Sequence, residues 1–357
     1  MIKTIFTIIG LFSATAVCAQ ATKVLTAEKA NEYGIVYSLP QTALEIEVTA
    51  RHQVAKKGPY YQYAKKSIGT TDVVMEDSEK WEVTDVKVRP YGVPDSETQY
   101  LMQLRPGAVT FMSVDADGML LAINKEVAGS GSAVADTPAA APVKWPSGSE
   151  YLQFVDEDFV ASKSAAKQAQ LLAESIMEVR ESKLALTRGT ADAMPADGKQ
   201  LELMLASLTA QEEALTAAFT GTHTTEYVTR RFTYKPVQED REILFRMSDF
   251  AGFVDADDLS GEPVYISVDG IDWPEMPLDA KGVAKKLPKN AVIYNIPGTA
   301  KVSVTAQGRK FFEKEMPMAQ FGTTFGLDPS LFTDKKEPSF ATFDPVTGAL
   351  LQIGVMN

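Results

Sequence analysis

A change in the spacing of apolar residues constrains this fold more than any other feature. From Phe159 to Leu186, and again from Lys199 to Thr220, apolar side chains recur every three or four residues; on either side they recur every two. A period near 3.6 can be buried on one face only by a helix, and a period of two only by a strand. The chain therefore reads as β, then α, then β.

In the first β region, Leu44-Glu45-Ile46-Glu47-Val48 alternates as a half-buried strand does. Trp81-Glu82-Val83 opens a second strand, but Val86 and Val88 continue it in the opposite phase. One extra residue near Thr84-Asp85, a β-bulge, would account for the slip. Arg89-Pro90-Tyr91-Gly92-Val93-Pro94-Asp95 reads as a turn cluster. Strands are expected at Tyr100 to Leu104 and Val109 to Val114, with Asp115-Ala116-Asp117-Gly118 turning the chain into Met119 to Ile123.

In the helical region, Ala169, Leu172, Ile176, Val179 and Leu186 share one stripe, and Leu201, Leu208 and Leu215 share another. Gly189 is placed to cap the first helix, and Gly221 ends the second. Asp197 is placed to accept from the backbone N–H of Gln200 while Gln200 reaches back, as in a capping box. The short connection predicts an antiparallel hairpin with mostly buried leucines. Such a pair serves as a structural spacer or as a partner-binding coiled coil. From Thr222 the period of two returns with Val228, Phe232 and Tyr234, followed by strand candidates at 243–247, 264–268, 292–296, 301–305 and 310–316. The chain closes with strands at 340–343 and 349–353 around the turn Asp344-Pro345-Val346-Thr347-Gly348. Phe111 to Ile123 and Phe340 to Ile353 share Phe, Asp four residues on, a turn glycine and an apolar strand, which hints at related hairpins or a duplication.

Gly, Ser, Ala and Pro dominate Ala128 to Gly148, which offers little apolar surface to offset its ordering entropy. It reads as a flexible linker, with Trp145 near its end available to dock on neighbouring structure. The expected architecture is α+β, mainly β: two antiparallel β-sandwich-like domains separated by a long antiparallel helical hairpin. The boundaries are a signal peptide at 1–19, an N-terminal β domain at 20–127, the linker at 128–149, the hairpin at 150–221 and a C-terminal β domain at 222–357.

The signal-peptide reading rests on Lys3 followed by an uncharged apolar run from Ile5 to Val17, too short to span a bilayer. Val17 and Ala19 predict cleavage before Gln20. Cys18 is the only cysteine; Val17 and Thr15 depart from the lipoprotein pattern, so lipid anchoring there is not expected. Without cysteine, the mature chain has no disulfide and no thiol chemistry. The chain carries 35 basic and 47 acidic side chains, which disfavours nucleic acid as a partner. No later stretch is apolar enough to be a transmembrane segment.

Several segments together resemble a known family. They are Gly58-Pro59-Tyr60-Tyr61-Gln62-Tyr63-Ala64, Ile68-Gly69, the Trp81 strand and Tyr91-Gly92-Val93-Pro94-Asp95. Arg180-Glu181-Ser182, Met194-Pro195-Ala196-Asp197-Gly198 and Ala319-Gln320-Phe321-Gly322 complete the set. Over nearly the whole mature chain they resemble an uncharacterised domain-of-unknown-function family of exported Bacteroidetes proteins. The resemblance implies a periplasmic or cell-envelope location and no assigned activity.

Recognisable chemistry is sparse. Only His52 and His223 occur, and neither has metal spacing to the other or a nucleophile motif beside it. No catalytic residue and no cofactor is expected. The densest acidic turn holds Asp255, Asp257, Asp258 and Glu262. Calcium is one reading of it, but Leu259 and Ser260 break the loop rule, and a solvated turn is the other. Tyr60, Tyr61 and Tyr63, among lysines, could stack on a glycan or cover a β edge. The reading is a non-enzymatic envelope binding or scaffold protein, with an envelope protein or a glycan as partner. A secreted carboxylate-dependent glycan hydrolase is the alternative.

Overall fold

A computed structural model describes residues 34–103, 111–127, 145, 147–288, 291–332 and 337–356. The signal peptide, the cleavage point before Gln20, Cys18 and residues 128–144 and 146 of the linker lie outside these residues. The described chain is mainly β, with 48% strand, 24% helix and several antiparallel sheets.

Strand β1 (Gly34–Lys56) leads through a turn of 3-10 helix at Tyr61–Tyr63 and a short helix α1 (Ala64–Ser67) into β2 (Ser78–Gln103). The strands β3 (Met112–Val114) and β4 (Leu120–Ile123) follow. The helices are α2 (Glu157–Ala161), α3 (Ala165–Arg188) and α4 (Gly198–Thr220). Then come β5 (Thr222–Tyr234), β6 (Glu239–Ser248), β7 (Gly252–Val254) and β8 (Glu262–Asp272). The chain ends with β9 (Val292–Ala306), β10 (Arg309–Leu327), β11 (Ser339–Phe343) and β12 (Leu350–Val355). Among the described residues three sheets form, in the orders β2-β1-β5, β10-β9-β8-β6-β7 and β12-β11-β4-β3.

The sheets cross the boundary expected between two β domains. β1 pairs β2 on one side and β5, from beyond the helices, on the other. β4 pairs β11. Both β cores are shared in the same way. Leu44, Ile46 and Val48 of β1 pack with Val264, Ile266, Val302 and Val304. Tyr37, Leu120 and Ile123 pack with Val292, Phe332, Ala341 and Phe343. Alternation specifies which face of a strand is buried, not which strand lies beside it. The two similar hairpins, β3–β4 and β11–β12, are accordingly neighbours in one sheet.

The expected bulge lies where the phase slips. Thr49 faces Asp85, Ala50 faces Val83, and the extra residue Thr84 donates its hydroxyl to the carbonyl of Thr49. The expected turn at Arg89 to Asp95 is instead strand: Arg89 to Pro94 pair with Glu45 to Pro40, and the register shifts only after Pro94. Pro90 and Pro94 are tolerated because β2 is an edge strand and needs no N–H on its outer side.

The helix expected from Phe159 is interrupted. Asp156 caps α2 by accepting from Phe159 N–H, Ser162 ends it, and Ser164 caps α3. Gly189 takes the left-handed conformation, φ 71°, at the end of α3. Asp197 accepts from Gln200 N–H at 2.8 Å, and the Gln200 side chain accepts from Ala196 N–H. The leucine stripes divide. Leu172, Ile176, Leu215 and Phe219 are buried with Tyr60 and Phe159, whereas Leu201 and Leu208 are half-buried. Where the stripes separate, Glu212 of α4 accepts from Arg180 at 2.6 Å and from Lys183 at 2.9 Å, both on α3.

Leu215→Ala should cost about 2–5 kcal/mol, the usual loss for a buried leucine, and Leu208→Ala distinctly less. Thermal melts of the two variants check this ordering. Arg180, and then Lys183, hold Glu212 below its ordinary value of 4.5. A lowered carboxylate contributes stability above its unfolded value and loses it as pH falls through the folded one. Stability should therefore decline on acidification below 4.5, and Glu212→Gln should remove part of that decline. Denaturant midpoints measured across acidic pH test it.

Candidate functional site

The structure separates the three tyrosines proposed to meet a ligand. Tyr60 is buried, its hydroxyl donates to Gln168 at 3.1 Å, and burial pushes it up to about 12. Its ring meets Tyr151, Phe159 and Phe219, so it is a core residue under the helices. Tyr61 and Tyr63 are half-buried. Tyr63 lines a groove of about 790 Å3 between α1 and α3, with Lys66, Lys167, Gln170, Glu174 and Glu178 among its walls. An aromatic face beside hydrogen-bonding and charged groups can bind a glycan or a peptide by stacking and polar contacts.

The acidic turn lies open to solvent. Asp255, Asp257, Asp258 and Glu262 are all exposed. Asp258 accepts from Ser260 N–H, which lowers its carboxyl. Arg246 donates to the carbonyls of Ala256 and Gly261, so a guanidinium already serves the oxygens a hard cation would need. Among the described residues no group of three or more His, Cys, Asp or Glu side chains is placed to hold a metal.

Several carboxylates elsewhere are matched with cations. Glu82 meets Arg51, Glu313 meets Lys310, and the buried Glu45 lies between Arg89 and Arg231. Among the described residues, Glu82, Glu150, Glu212 and Glu313 are held below their ordinary value. A glycosidase acid needs a carboxyl displaced upward.

A cluster around His52 went unrecognised in the sequence. His52 lies on β1 opposite Trp81 of β2 and Glu226 of β5. Its ring stacks on Trp81 at 4.0 Å and meets the edge of Trp145 at 4.7 Å. Its Nε2 is 2.8 Å from Glu79, and its Nδ1 is 3.8 Å from Glu226. Lys56, Thr222 and Thr224 complete a small cavity of about 230 Å3. The signal was present: position 52 keeps the parity of Leu44, Ile46, Val48 and Ala50 and so belongs to the buried face. Trp145 docks here against the His52 ring.

The segments that carried the family resemblance are used by the fold. A Cβ on Gly58 would strike the carbonyl of Ala218, and one on Gly92 the carbonyl of Pro345. Arg180 joins α3 to α4, Asp197 caps α4, and Gln320 hydrogen-bonds the backbone of Thr42. Residues 33–351 match the family described as Domain of unknown function (DUF4831). The chain belongs to that family. No curated protein and no solved structure shows significant similarity to it. The DUF4831 match covers both β regions and the helices. No helix among the described residues is long and apolar enough to cross a membrane.

His52→Ala removes the ring that holds Trp145. Tryptophan emission should shift to longer wavelength, with greater access to a soluble quencher. Steady-state fluorescence decides, and an unchanged spectrum would show that Trp145 is held by something else.

Proposed function

We propose that this chain is a non-enzymatic, exported cell-envelope protein that binds or scaffolds an envelope protein or glycan. In this reading residues 1–19 are its signal peptide and lipid anchoring at Cys18 plays no part. One observation carries the proposal: the family segments supply glycine close approaches, helix caps and buried hydrogen bonds rather than converging on a reactive group. The lowered carboxyls weigh against the hydrolase alternative. α3 and α4, read as an antiparallel hairpin, act as a spacer on the β body. The groove at Tyr63 is the contact surface, because it pairs an aromatic ring with exposed polar groups outside both β cores.

The test is affinity capture from a solubilised native envelope, with Lys167→Glu as the groove variant. A stoichiometric envelope component retained by the wild type and lost by Lys167→Glu supports the proposal. Release of reducing ends from envelope glycan by the purified protein, abolished in Glu174→Gln, would replace it with the hydrolase reading.

A further inference from the structure

The groove beside Tyr63 has a charge gradient as well as a shape. Along its α3 wall the cation Lys167 stands at one end and the carboxylates Glu174 and Glu178 stand at the other. At about 1.5 Å per residue, the stretch from Lys167 to Glu178 is about 16 Å long. Lys167 lies in the first turn of α3, where the helix dipole adds positive charge of the same sign.

The fold leaves these charges free to meet a ligand. Lys167 and Glu174 are about two turns apart on α3, beyond the reach of pairing between neighbouring turns. Among the described residues, Lys66, Lys167, Glu174 and Glu178 belong to no ion pair. The Glu174 carboxylate accepts from the Gln170 amide at 2.7 Å, which holds it in place while leaving its charge unmatched. Between the charged ends lie Ala173 and Met177, and Met177 is 47% exposed. An exposed methionine adapts to aliphatic side chains of varied shape.

We infer that the groove takes an extended peptide segment that carries one acidic and one basic side chain about three to five residues apart. At about 3.3 Å per residue an extended chain places such a pair about 10–16 Å apart, which matches the distances from Lys167 to Glu174 and Glu178. The acidic side chain meets Lys167, the basic one meets Glu174 or Glu178, and aliphatic side chains between them lie on Ala173 and Met177. This inference rests on the proposed function and narrows its partner from envelope protein or glycan to protein. A neutral glycan has no charges to match the two ends. A sugar ring also needs an open aromatic face, whereas Tyr63 already packs against the core of Tyr60, Phe159 and Leu172.

Fluorescence anisotropy on the purified full chain provides the test, with labelled, capped six-residue peptides of threonine and valine that differ only in their end residues. The peptide with glutamate at one end and lysine at the other should bind about fivefold tighter than a peptide with two glutamates or two lysines, as expected when a surface ion pair becomes a like-charge contact. Lys167→Glu should invert the order and favour the two-lysine peptide, a change that loss of folding cannot produce. If Lys167→Glu fails to fold, Glu178→Lys decides and should favour the two-glutamate peptide. Equal binding of the three peptides by the wild type, or an unchanged order in the folded variant, overturns the inference. An envelope component captured by the wild type and lost by Lys167→Glu, without any peptide preference, overturns the peptide class and leaves the proposed function standing. Peptide preference with inversion supports the peptide groove even where envelope capture returns nothing, a result that would count against the proposed function alone.

Discussion

The arrangement of the three sheets depends on one buried hydrogen-bond junction around Thr42. Where β5 ends, beyond Tyr234, the backbone of Thr42 loses its strand partner on that side. The Gln320 amide replaces it: Oε1 accepts from Thr42 N–H at 3.1 Å, and Nε2 donates to the carbonyls of Thr42 and Pro236 at 3.0 Å. The Thr42 hydroxyl accepts from Ala319 N–H and donates to the carbonyl of Val346. Asn295 donates to the carbonyls of Ala319 and Thr347. Strands β1, β9 and β10 and the β11–β12 turn thus meet at three polar side chains. A buried backbone group left unpaired costs about 1–3 kcal/mol, so alternative arrangements of these sheets leave several such penalties unrelieved.

The junction explains the local shape of β10. Met318 pairs Gly298 and Thr323 pairs Ile296, so Ala319-Gln320-Phe321-Gly322 forms a wide bulge in β10 that still packs on β9. The bulge turns Gln320 toward β1 and brings Ala319 N–H to Thr42. Gly92 lets β2 pass against the carbonyl of Pro345 on the opposite side of the same region. The helices attach by different physics. Tyr60, Phe159, Leu172, Leu215 and Phe219 form an apolar base, and Trp145 meets the His52 ring edge-on. Beyond that base Glu212 joins the two helices, Leu186 is buried near the end of α3, and the Tyr63 groove stays accessible to a partner.

Much of the local structure was legible because it follows from a few neighbouring residues. The slip of phase at Val86 located the bulge at Thr84, and Asp197, Ser164 and Gly189 mark helix ends by their own hydrogen bonds or backbone preference. The candidate site was less legible. Tyr60, Tyr61 and Tyr63 are adjacent in sequence, yet one is core and another lines a groove, because a turn of 3-10 helix points them in different directions. The buried parity of His52 was readable, whereas Trp81, Glu226 and Trp145 reach it from β2, β5 and the segment ahead of α2.

By itself the sequence determined the order β, α, β and the faces that strands and helices bury. Each depends on residue identity and on spacing over one or two turns. Tertiary structure alone decided that the two β regions share sheets, that Arg89 to Asp95 is an edge strand rather than a turn, and that Gln320 replaces a strand beside Thr42. The physical reason is that strand neighbours are joined by backbone hydrogen bonds, which are the same for every residue except proline. A pattern of side chains can therefore say which face of a strand is buried, while its neighbour is chosen by the three-dimensional pairing that leaves the fewest buried polar groups unsatisfied.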